Sequence, residues 1–67
     1  MNQETVEKLR QLAAQEAAIR ADIDRELATR DAAPPDSVAH VEAQARAVLL
    51  YKQLLPIARA QANLIKI

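Results

Sequence analysis

Large apolar residues recur along the first half of the chain at helical intervals. Val6, Leu9, Leu12, Ile19, Ile23 and Leu27 are separated by steps of 3, 3, 7, 4 and 4. At 100° per residue they fall in a stripe roughly 140° wide, the signature of a helix with one core-facing side. Glu16 and Arg20 sit inside the stripe, four apart with the acid first, which favours a helical ion pair. A second line of small residues, Ala14, Ala17, Ala21 and Ala28, reads either as helix-forming filler or as a strip that lets another helix come close. Asn2 is a candidate cap, and Glu4 and Glu7 place negative charge where the helix dipole favours it. The pattern predicts a helix over residues ~3–31, ended by Ala32-Ala33-Pro34-Pro35 because a proline drives the residue before it out of the α region.

The second half restarts at Pro35 or Asp36, with Ser37 as an alternative cap, and predicts a helix over ~36–66. Each helix should be roughly 43–47 Å long, and a connection of about four residues joins antiparallel neighbours. The expected fold is all-α, one antiparallel two-helix hairpin domain over residues 1–67 that completes a bundle with a partner or a second copy.

The second helix has more apolar surface than one neighbour covers. One seam follows Val38, Val41, Ala45, Val48, Leu55 and Ala62, flanked by Lys52 and Arg59. Another follows Leu50, Leu54, Ile57 and Leu64, with Gln61 in the gap and Tyr51, Ala58 and Ile65 between the two seams. The expected hairpin core is Leu9, Leu12, Ile19, Ile23 and Leu27 against Val41, Val48 and Leu55. The expected partner-binding face is Leu50, Tyr51, Leu54, Ile57, Gln61 and Leu64, a contiguous patch of the kind that marks an interface. Pro56 falls on the polar side with Glu42, Gln53 and Ala60, where a proline bends a helix around what it packs on.

Composition narrows the picture. A chain of 67 residues supports one thin core, and without cysteine it has no disulfide to brace it. Oligomerisation or a hetero-partner is the remaining support. Glycine is absent, which argues against tight hairpins and phosphate-cradling loops. The formal net charge is zero, which argues against a general binder of nucleic acid or acidic membranes. The halves differ: residues 1–33 carry seven acids and five bases, whereas residues 34–67 carry Asp36 and Glu42 against Arg46, Lys52, Arg59 and Lys66. The longest apolar run, residues 47–51, is far too short to span a bilayer, and no signal peptide is visible, so a cytoplasmic protein is expected.

Candidate chemistry is sparse. Asp36, Ser37 and His40 crowd one turn at a helix start, where side chains fan apart rather than lining up as nucleophile, base and orienter. Asp22 and Glu26 are spaced to share a cation, but Arg25 and Arg30 stand close enough to neutralise them. The four bases after residue 45 could mark a membrane-surface helix, or an RNA-binding dimer like the small plasmid copy-control proteins. Both would want a denser basic face. No catalytic group, metal set, cofactor or small-molecule substrate is expected, and the chain reads as a non-enzymatic protein-binding module.

Around the turn, Arg25-Glu26-Leu27-Ala28, the restart at Pro35 and Gln44-Ala45-Arg46-Ala47 resemble the short co-chaperones of the bacterial type III secretion needle subunit, the YscE/PscE type, over residues ~20–60. The resemblance implies a cytoplasmic hairpin that joins a larger helical-repeat chaperone to keep a needle subunit monomeric before export. It also implies a hetero-interface around Leu50, Leu54 and Ile57. Two other classes fit the residues: a phage- or mobile-element-encoded inhibitor acting as a homodimer, and a structural homodimeric four-helix bundle.

Overall fold

A computed structural model describes residues 2–65 as two helices, α1 (Gln3–Ala32) and α2 (Val38–Ile65), folded into a hairpin 50 × 15 × 10 Å. Lys66, which the expected second helix includes, lies outside the described residues. Asn2 caps α1: its Oδ1 accepts the Thr5 amide at 2.7 Å, replacing a partner that the first turn lacks. At the other end Pro34 acts as expected, and Ala33 is extended at φ −93°, ψ 149°. Of the possible caps for α2, Ser37 takes the role. Its Oγ accepts the His40 amide at 3.1 Å and donates to the Pro34 carbonyl at 2.7 Å, which closes the turn over residues 34–37.

Three side-chain links fix how the helices lie. Arg46 donates through Nε to both carboxylate oxygens of Glu26, at 2.9 and 3.0 Å. Arg30 donates to Gln44 at 2.7 Å, and His40 Nδ1 donates to the Arg30 carbonyl at 2.9 Å. Glu26 therefore pairs across the hairpin with Arg46 rather than with Arg30 on its own helix. Carried along antiparallel helices, this register sets Ile23 level with Leu50 and Leu12 level with Ala60 and Gln61.

The residues turned inward step alternately by three and four on both helices. On α1 they are Thr5, Leu9, Leu12, Glu16, Ile19, Ile23, Glu26 and Arg30; on α2 they are His40, Ala43, Ala47, Leu50, Leu54, Ile57, Gln61 and Leu64. A mean step of about 3.5 keeps a seam facing its partner along the whole length, as in a two-stranded coiled coil. Ile23, Ala43, Ala47 and Ile57 are buried, and the others are half-buried.

This arrangement corrects the expected assignment of the two seams on α2. The α1 half of the expected core holds: Leu9, Leu12, Ile19 and Leu27 are half-buried and Ile23 is buried. Its α2 half does not, because Val41, Val48 and Leu55 are 61%, 41% and 53% exposed. Leu50, Leu54, Ile57, Gln61 and Leu64, expected to await a partner, face α1 instead. The reason lies at the turn. A short connection over residues 33–37 holds the helices close there, and alanine at positions 43 and 47 lets the backbones approach. The β-branched Val41 and Val48 would hold them apart.

Candidate docking face

Turning the Leu50–Leu64 seam inward leaves a second stripe open on α2. Val41, Gln44, Val48, Tyr51, Leu55, Ala58, Ala62 and Ile65 also step alternately by three and four, and every one is exposed. The stripe is about 36 Å long at ~1.5 Å per residue. It contains no charged residue, and the amide oxygen of Gln44 is already engaged by Arg30. A helix in water does not gain stability from an exposed line of Val, Leu and Ile, so this periodicity is one that another helix could use. It joins most of the first seam read from the sequence to Tyr51, Ala58 and Ile65, the residues placed between the seams.

The two broad sides of the hairpin differ in character. On one side, shallow grooves between the helices have charged and amide rims over an apolar floor: Asp22, Arg25, Glu26, Arg46 and Gln53 with Leu49 and Leu50 toward the turn, and Lys8, Gln11, Gln15 and Asn63 with Leu12, Ala60 and Leu64 toward the open end. Leu49 is 60% exposed there. The other side carries the open stripe of α2 and, from α1, Val6, Ala13, Arg20 and Leu27. Val6 and Leu27 are half-buried. The Arg20 guanidinium is held by Glu16 at 3.1 Å, which is the helical ion pair expected from the sequence.

Lys52 and Arg59 border the stripe on its outer edge and are exposed. Pro56 is exposed and α2 continues through it, as its place on the polar side of the wheel predicts. Of the six residues expected to bind a partner, the structure leaves Tyr51 on the open face and turns the other five toward α1. Ala14, Ala17, Ala21 and Ala28 are exposed, and α2 does not lie on them.

The polar candidates serve the fold. Ser37 Oγ and His40 Nδ1 are bonded to main-chain groups, and the two side chains do not form a nucleophile–base pair. Asp22 pairs with Arg25 and Glu26 with Arg46, so each carboxylate of the possible cation site has its own cation from the protein. Among the described residues, no group of three His, Asp or Glu side chains converges on a metal position, and no helix is long and apolar enough to cross a membrane. No family model, curated protein or solved structure matches this chain.

Proposed function

We propose that this chain is a non-enzymatic protein-binding hairpin that docks onto helices through the open stripe of α2. The observation that carries the reading is the second three-four periodicity, uncharged and exposed from Val41 to Ile65. The α1–α2 seam gives the hairpin its shape, while the stripe supplies the apolar surface that a binding partner would cover. An adaptor or co-chaperone subunit is one form of this function, and its interface would centre on Val48, Tyr51 and Leu55 rather than on Leu50, Leu54 and Ile57.

Light-scattering mass of the expressed protein, together with whatever co-purifies, tests it. The parent should run as a complex heavier than the 7.4 kDa chain. Leu55→Asp should release the free chain, whereas Gln53→Asp, on the polar side, should leave the complex intact. A parent that runs as a folded free chain, with no change in either variant, would count against the docking reading.

A further inference from the structure

We infer that the occupant of the open stripe is a helix of another protein that flanks its own apolar seam with Asp and Glu, seated over the half of the stripe from Tyr51 to Ile65. This rests on the docking reading and states the chemistry of the partner.

Unpaired charge is the observation. Among the described residues, Lys8, Arg20, Arg25, Arg30 and Arg46 each meet a carboxylate of this chain. The remaining described bases, Arg10, Lys52 and Arg59, meet none, and all three are exposed at the margins of the open side. Lys52 lies one turn from Val48 and Leu55, and Arg59 one turn from Leu55 and Ala62, along the outer edge of the stripe. Arg10 lies one turn from Val6 and Ala13 on α1. Since Glu26 faces Arg46, position 10 stands level with position 62. Bases therefore border the stretch from Tyr51 to Ile65 on both edges, and Glu16, which lies at the seam between them, is taken by Arg20. The acids of this side stand nearer the turn, Asp24 level with Val48 and Asp31 level with Val41, and Asp31 is held by Arg30.

This pattern selects a class of partner. An alternation of three and four is the spacing one helix offers another, and charges bordering such a line set which helix it accepts. The borders here call for carboxylates. A second copy does not supply them: in parallel register it returns Arg20 to the level of Lys52 and sets Arg10 within one turn of Arg59, and reversed about mid-stripe it brings Lys52 against Lys52. An anionic bilayer would cover the whole side and meet Asp24 and Asp31 as well. Nucleic acid, held by its phosphates, gains nothing from the uncharged line between the bases. On an acidic helix each unpaired base faces an opposite charge, while the seam between them buries Tyr51, Leu55 and Ile65.

Two synthetic peptides of about three heptads serve as probes, each with Leu at both seam positions of every heptad, one flanked by Glu and the other by Lys. Like charges on its own flanks keep each peptide from pairing with itself. Fluorescence anisotropy with the purified chain at low salt should show the Glu peptide bound about ten- to a hundredfold tighter than the Lys peptide, as for three exposed ion pairs. The preference should shrink as salt rises. Lys52→Glu combined with Arg59→Glu should bring the two affinities within about threefold or invert them, with the helical circular-dichroism signal unchanged. Leu55→Asp should release both peptides. Equal affinity for the two peptides, lost in Leu55→Asp, would overturn the inference and leave the docking reading standing. A dimer of the chain that the Glu peptide does not open, or binding to phosphatidylserine vesicles and to neither peptide, would also overturn it. No affinity for either peptide, with the expressed chain a free monomer, would remove both readings.

Discussion

Ala43 and Ala47 decide where α1 lies. Both are buried at the end of the hairpin where the short connection holds the backbones together, and neither has a side chain large enough to stand out among residues of greater apolar bulk. The steps from Leu50 back through Ala47 and Ala43 to His40 continue the three-four alternation of Leu50, Leu54, Ile57 and Leu64, but the open stripe alternates in the same way, so the spacing alone does not choose between them. Weighting residues by size favours Val41 and Val48 and exchanges the seams. Ala47→Leu should therefore lower stability by about 1–3 kcal/mol through overpacking, whereas Ala45→Leu on the exposed side should stay within about 0.5 kcal/mol. Urea unfolding of the two variants checks the contrast. The polar links at the same end are less legible, since nothing local in the sequence announces that His40 reaches the Arg30 carbonyl or that Arg46 reaches Glu26.

At the scale of the element, the sequence is explicit. Asn2, the Pro34-Pro35 pair and the unbroken run of helix formers place both helices to within about two residues, because caps and prolines act through local backbone chemistry. Ser37 rather than Asp36 caps α2, a choice made by the turn's own hydrogen bonds to Pro34. Ser37→Ala should cost about 1 kcal/mol and speed amide exchange in the first turn of α2. Pro56 sits on the exposed side of a continuous helix, where its missing amide leaves the Lys52 carbonyl without its usual partner. Pro56→Ala should raise stability by about 1–3 kcal/mol in a thermal melt. A lowered melting temperature would show that the packing of the seam depends on the proline.

At the scale of the whole molecule, the surplus of apolar surface on α2 is legible in the sequence alone. Which seam is surplus is not, because that depends on the separation of two helices set by the turn. The structure places the two three-four stripes side by side on one helix, one closed by α1 and one open. Adjacent leucines then have opposite duties: Leu54 belongs to the hairpin and Leu55 to the docking face. Far-ultraviolet circular dichroism and solution mass of Leu54→Asp and Leu55→Asp, measured side by side with the parent, test this division most directly. Leu54→Asp should lose helicity and cooperative melting, while Leu55→Asp should lose association and, when folded, keep its helical signal. Loss of helicity on Leu55→Asp with Leu54→Asp unaffected, or association surviving Leu55→Asp, would contradict it.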